Sequence, residues 1–284
     1  MQSLAVPRTA PPPSSIRNRA MDATAQTLLA QGEPAQALQQ LIQQVRRQPA
    51  DAAQRVFLFQ LLAVLGQWSR AADQLRACGE LDGTTQPLVQ TYLAVLQGEQ
   101  TRAEVFAGKR LPRVMGEPVE WLAMHLQALQ LAAQGHGEQA AALRAQAFEL
   151  APASAGVLDG ERFQWLADAD TRFGPCLELL LDRGYAWAPL SQIQQLRMQA
   201  PLDLRDTVWA PVSVLWRNGG QAFGYLPVRY PGSEHLDAGE LQLARRTEWA
   251  HVAQGEIGLG QRMWSTESRE IALLDVRDVQ FDAD

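Results

Sequence analysis

Any chemistry in this chain would have to come from its arginines, aspartates and tryptophans, because the familiar catalytic spacings are missing. Asp168-Ala169-Asp170-Thr171-Arg172 opens like a calcium loop. It lacks the glycine and distal glutamate that complete one, so the expectation is a carboxylate pair in a turn, held by Arg172, with no metal. The histidines His125, His136, His235 and His251 form no HExxH or HxH and have no cysteine beside them in a ligand pattern. Each is expected on the surface. Gly255-x-x-Gly258-x-Gly260 is neither a dinucleotide fingerprint nor a P-loop, and it is expected to be a flexible turn. There is no GxSxG, so no catalytic residue and no cofactor are assigned. What remains is a set at turn borders: Asp168, Asp170, Arg172, Arg205, Asp206, Trp209, Arg229, Arg245, Arg246 and Trp249. Buried Arg–carboxylate pairs can specify a fold without catalysis. Arg and Trp also dominate interface hot spots. Both roles stay open for this set.

The central element positioning these residues is the stretch Leu204 to Glu234. Val208 to Trp216 is rich in Val and Trp, which favours a strand. Asn218-Gly219-Gly220 supplies a tight turn, and Ala222 to Leu226 returns until Pro227 ends it. This is either a buried hairpin or a binding surface. Around it, Phe163–Asp168, Cys176–Asp182 and Tyr185–Trp187 read as short strands, the first two also compatible with a strand and a helix. Leu190 to Met198 reads as helical, Leu241 to Trp249 as a helix running into a strand, and Ile271 to Phe281 as a final strand. The second half is therefore α+β.

The first half is helical, and it repeats. A Gly followed five residues later by an Ala occurs at Gly32/Ala37, Gly66/Ala71, Gly98/Ala103 and Gly135/Ala140, with intervals of 34, 32 and 37. Gly ends one helix in a left-handed conformation, the small Ala lets the next approach, and Pro49 or Pro152 stops it. A period near 34 is that of tetratricopeptide (TPR) repeats. Seven or eight helices are expected, stacked as a short α-solenoid or as a plain bundle. Lys109, Arg110 and Arg113 are expected in a solvated loop between units. Residues 1–20 read as a disordered Pro-rich tail, 21–151 as the helical repeat domain and 152–284 as the α+β domain.

The net charge is −6 over 284 residues, and it is uneven: +3 in residues 1–20, −2 in 21–155 and −7 in 156–284. An acidic body argues against nucleic acid as a partner. Two distant cysteines exclude a disulfide scaffold and fit a reducing compartment. No apolar run has the length of a membrane span, so no membrane partner is expected and the cytoplasm is the expected location.

Several stretches together resemble the ImpE family, also called TagJ or SciE, an accessory component of bacterial type VI secretion. They are Asp168-Ala169-Asp170-Thr171-Arg172-Phe173-Gly174-Pro175, Leu204-Arg205-Asp206-Thr207-Val208-Trp209, Leu226-Pro227-Val228-Arg229-Tyr230-Pro231-Gly232-Ser233, Ala244-Arg245-Arg246-Thr247-Glu248-Trp249 and Gly258-Leu259-Gly260-Gln261-Arg262. Trp264 departs from the smaller aliphatic residue expected there. The resemblance adds Tyr230, Gln261 and Arg262 to the set above. It implies a helical repeat domain followed by an α+β domain, without known catalytic activity. The partner implied is a helix of the small sheath subunit, TssB-like, with the ATPase ClpV as a functional neighbour. Phe57, Leu61, Trp68, Tyr92, Trp121 and Leu122 are candidate groove contacts for that helix, or else core. The rival reading is a small-ligand or metal-binding enzyme or sensor, its site at Asp168, Asp170, Arg205 and Arg229.

Overall fold

The computed structural model describes residues 23–117 and 119–283, so the expectations for residues 1–20 lie outside the described residues. The helical part holds α1 (Ala23–Ala30), α2 (Pro34–Arg47), α3 (Ala52–Val64), α4 (Trp68–Leu81), α5 (Gln86–Phe106), α6 (Glu120–Ala133) and α7 (Gly137–Leu150). Gly32, Gly66 and Gly135 end α1, α3 and α6 with φ of 78°, 64° and 86°. They make the α1–α2, α3–α4 and α6–α7 hairpins, with Ala37, Ala71 and Ala140 fully buried at the close approach.

The third unit departs from the expected repeat. Gly98 is no turn: α5 runs unbroken through it for 21 residues. A Cβ there would lie 2.4 Å from Leu180 Cδ2, so the glycine lets the helix press onto the sheet. Gly108, with φ of 70°, ends this helix instead.

The remaining strands and helix follow in chain order. They are β1 (Arg113–Val114), β2 (Gly156–Leu158), β3 (Glu161–Phe163), β4 (Ala167–Asp168), β5 (Cys176–Leu181), β6 (Gly184–Pro189), β7 (Ile193–Met198), β8 (Trp209–Trp216), β9 (Gln221–Pro227), α8 (Gly239–Gln242), β10 (Thr247–Val252), β11 (Gly255–Gly260), β12 (Met263–Ser265), β13 (Glu270–Ala272) and β14 (Asp278–Phe281). A nine-stranded sheet has the order β1-β6-β5-β9-β8-β7-β14-β2-β3. Only its β1–β6 pair is parallel. β13-β12-β4 and β10-β11 form smaller sheets. The chain thus has an N-terminal helical region and a C-terminal region of sheets, in keeping with an α and α+β class.

Three expectations are corrected here. Residues 193–198 are a strand, not a helix. Gly255–Gly260 is the return strand of a hairpin, not a flexible turn. Part of the basic loop is structural, because Arg113 and Val114 pair with Ala186 and Trp187 at the sheet edge. Lys109 and Arg110 are exposed, as expected.

Two cores flank the large sheet. Alternation along β5 sends Cys176 and Leu180 to the helical side and Leu177 and Leu179 to the other. The helical-side core mixes Phe59, Leu61, Tyr92 and Trp121 with Leu180, Trp187, Trp209 and Tyr225 of the sheet. The far side, which includes Trp264, is a separate apolar layer.

Candidate functional site

The same alternation places Glu178 of β5 on the helical face, fully buried. A bare carboxylate there would be untenable, and two arginines meet it. Arg102 of α5 donates Nε to Glu178 Oε1 at 2.8 Å and Nη2 to Oε2 at 2.9 Å. Arg262 donates Nη1 to Oε2 at 2.7 Å. The Tyr185 hydroxyl donates to Oε1, and Trp187 Nε1 donates to Tyr185 at 2.5 Å. Burial alone would raise the Glu178 pKa, but Arg102 and Arg262 hold it below the ordinary value.

The chain of charge continues on both sides. Arg262 Nε bonds Asp168 Oδ2 at 2.9 Å, with its guanidinium 4.3 Å from the Phe173 ring centroid. Tyr230 donates its hydroxyl to Asp168 Oδ1 at 3.0 Å. Asp168 has one arginine where Glu178 has two, so burial wins and lifts its pKa to about 6. Arg102 Nη1 lies 3.6 Å from Glu99, whose Oε1 accepts from Trp209 Nε1 at 2.7 Å. Burial raises the Glu99 pKa despite Arg102.

The other motif residues tie the two halves of the chain together. Arg229 donates to the carbonyls of Ala63 and Val64, which end α3, and to Gln242 O. Arg245 donates to Leu29 and Ala30 at the end of α1, at 2.7 and 3.2 Å. Both cations sit at the last turn of a helix, where the helix dipole is negative. Arg205 donates its backbone N–H to Gln60 Oε1 at 3.2 Å, and its guanidinium lies 5.1 Å from the Tyr92 ring centroid. Asp206 accepts from the N–H groups of Leu202 and Asp203, capping the turn before β8. Asp170 accepts from Arg172 Nη2 at 2.6 Å and from Gly258 N at 2.8 Å, the expected turn with its arginine. Gln261 donates to Ala244 O and accepts from Leu274 N. Arg246 stands apart, exposed and paired with Glu248, and Trp249 is partly exposed against Tyr230.

Above this network lies a cleft of about 530 Å³ between α5, α6 and the turn at 231–235. Glu99, Arg102, Phe106 and Arg172 line it, with Glu234 and His235 opposite.

The six groove candidates fare differently. Phe57, Leu61, Tyr92, Trp121 and Leu122 are buried core side chains, and half-buried Trp68 packs 5.8 Å from Trp209. The first five are engaged in internal packing, whereas Trp68 also lines the 530 Å³ cleft. The rival set is not gathered either: no hydrogen bond or ion pair joins Asp168 or Asp170 to Arg205 or Arg229 among the described residues. Nor do the described residues place three or more His, Cys, Asp or Glu side chains to hold a metal. His125 is fully buried, contrary to expectation, and packs between Phe148 and Trp187. Sequence reading also missed Glu99, Arg102 and Glu178. A lone Glu within Cys-Leu-Glu-Leu-Leu-Leu was the available signal for Glu178.

The ImpE protein family profile matches residues 160–280, the segment that supplies Asp168, Glu178, Arg229 and Arg262. The chain is 47% identical over 258 residues to the type VI secretion system accessory component TagJ of Pseudomonas aeruginosa, covering 91% of each chain. A crystal structure of protein VPA1032 from Vibrio parahaemolyticus superposes with a TM-score of 0.84 at 24% identity, covering 92% of this chain and 98% of that one. That likeness speaks to the fold alone.

Proposed function

The chain belongs to the ImpE family, and from that premise we propose that it is a non-enzymatic adaptor of the bacterial type VI secretion system, working in the cytoplasm. In this reading it binds a helix of the small, TssB-like contractile-sheath subunit and assists disassembly of the sheath by the ATPase ClpV. The observation that carries the reading is 47% identity to a type VI accessory component across 91% of both chains. The helix hairpins α1–α2, α3–α4 and α6–α7 support it, since a TPR-like array suits recognition of a partner helix. The buried acids support it too, because Glu178, Asp168 and Asp170 are each engaged by arginines that tie the fold together. No helix among the described residues is long and apolar enough to cross a membrane.

Calorimetric titration of the full chain with a peptide of the N-terminal helix of the cognate small sheath subunit tests this, with a scrambled peptide as control. Saturable binding is expected. Absence of heat at concentrations near millimolar sinks the reading. The ligand-binding alternative draws on the 530 Å³ cleft over Glu99. A thermal-shift screen that finds one metal ion or nucleotide specifically stabilising the chain would favour it.

A further inference from the structure

The cleft of about 530 Å³ presents two arginines whose hydrogen bonding is only half used. Arg102 and Arg172 both line it and are 5% and 7% exposed. Each commits one edge of its guanidinium to a buried carboxylate. Arg102 holds Glu178 through Nε and Nη2, and Arg172 holds Asp170 through the same two atoms. That side-on grip fixes both guanidinium planes and turns Nη1 away from the carboxylate. Among the described residues, Arg172 Nη1 makes no hydrogen bond and is open to solvent. Arg102 Nη1 has only Glu99 Oε2, at 3.6 Å, beyond hydrogen-bond length. Both guanidiniums stand over the Phe106 ring, 5.8 and 5.7 Å from its centroid. Two oriented cations thus meet one aromatic ring at the cleft.

The balance of buried charge favours an anion there. Among the described residues the buried cations are Arg102, Arg144, Arg172, Arg205, Arg229 and Arg262, against the buried acids Glu99, Asp168, Asp170, Glu178 and Asp206. One cation is in excess. Arg144 and Arg229 meet only neutral oxygens. Arg144 stands just behind the cleft, bonded to the carbonyl of Gln254, and its Nε and Nη2 are buried without partners. In low-dielectric walls that surplus is felt across the cleft. The α6 side of the cleft is apolar, through Leu129, Ala132 and Ala133. We infer that this cleft binds a small organic anion. Its carboxylate or phosphate head sits on the free Nη1 of Arg172, with Arg102 as the second cation, and its apolar body lies against Phe106 and α6. Arginine matches the planar geometry of such a head, and an apolar cavity with a few fixed polar groups suits a small ligand. The ligand bridges the two halves of the chain, because Arg102, Phe106 and α6 belong to the helical half and Arg172 and Gln254 to the other. The inference goes beyond the adaptor reading and does not rest on it.

The test titrates the full chain with phenylphosphate and with benzoate by calorimetry, with benzamide as the neutral control. Saturable binding of at least one anion is expected, with none by benzamide, and the tighter anion names the head group. Arg172→Gln removes the free donor and is expected to weaken that binding at least roughly tenfold. Because this change also releases Asp170, Ala103→Phe is the second variant. It fills the cleft from an exposed helix position and leaves the ion network intact, and the same loss is expected. Glu234→Gln removes a negative charge from the cleft and should leave affinity equal or tighter. No saturable heat with either anion up to about 10 mM overturns the inference. Equal binding of benzamide overturns it as well, since the cleft would then be an apolar hole indifferent to charge. Binding that survives Ala103→Phe, or that weakens in Glu234→Gln, overturns it by moving the ligand elsewhere or reversing its charge. The adaptor reading stands or falls on the sheath peptide alone, so the two failures are distinguishable.

Discussion

Arg229, on the chain just after β9, donates a hydrogen bond to the carbonyl of Val64, the last residue of α3. The same guanidinium serves Ala63 and Gln242, and its own carbonyl accepts Arg102 Nη2 at 2.9 Å. One side chain thus closes a helix end and links it to the buried ion network. Arg229→Ala leaves three buried carbonyls without this partner. We expect a loss of about 3 kcal/mol in urea denaturation. Arg229→Lys is expected to recover little, since an ammonium lacks the planar fork. An unchanged midpoint in either variant would show that water replaces the cap.

Glu178→Gln removes the shared carboxylate of Arg102 and Arg262, leaving the first with Glu99 at 3.6 Å and the second with Asp168 alone. The expected cost is about 3–5 kcal/mol. Glu234→Gln, whose carboxylate lies at the open cleft, is the matched control and should cost well under 1 kcal/mol. Equal effects from the two would contradict the central place given to Glu178.

His125 and Asp168 give stability a pH dependence of opposite signs. Burial first, then the Arg144 charge, lowers the His125 pKa from 6.5 to about 3. The unfolded state binds the extra proton, so this stability is present above pH 6.5 and is lost as pH falls toward 3. The loss by pH 5 is about 2 kcal/mol. Asp168, raised to about 6, contributes stability that is present below its ordinary value of 3.8 and fades as pH rises through 6. His125→Phe should flatten the acid side of the profile, whereas Asp168→Asn should steepen it between pH 4 and 6. Denaturation curves across pH 4–8 decide, and parallel profiles for wild type and His125→Phe would refute the assignment.

Gly239 of α8 lies so near the α1–α2 turn that an added Cβ would stand 1.8 Å from Gly32 O. Gly135 has open space at the same test and only a φ of 86° to satisfy. Gly239→Ala should therefore cost about 1–3 kcal/mol through overpacking, and more than Gly135→Ala. The reverse order, measured by thermal unfolding, would mean that backbone strain outweighs the close approach.

Residues 21–151 without the remainder should not fold to a native-like state. Their Phe59, Tyr92 and Trp121 share a core with Trp187 and Trp209 of the sheet. Strong dye binding and a broad, non-cooperative melt are expected. A sharp melt near that of the whole chain would make the helical half an independent unit.

Local rules were legible where one principle acted alone. Asn218-Gly219-Gly220 gave the β8–β9 turn, and Gly32, Gly66 and Gly135 gave the helix hairpins. They failed where tertiary contact set the residue. Gly98 and Gly258 looked like turn formers, yet each is small because something presses on it, Leu180 in one case and the Tyr230 ring in the other. The strand Ile193–Met198 looked helical because a register shift after Ile193 breaks its alternation. The motif arginines were visible as a set, but Arg229 and Arg245 are met by backbone carbonyls far along the chain, which leave no mark in the sequence. Glu99 and Arg102 stand three residues apart in α5, a spacing that ordinary solvated pairs share, so nothing in the sequence marked them.

The arginine that closes α3 is encoded 165 residues after the carbonyl it serves. On a ribosome adding on the order of 5–20 residues per second, that carbonyl waits roughly 10–30 s for its donor. Through that interval the first four helices exist as nascent chain with their sheet-facing apolar side uncovered, so the molecule cannot mature vectorially from its N-terminus. Closure of α3 therefore comes late in synthesis, after the strands that precede Arg229 have been made.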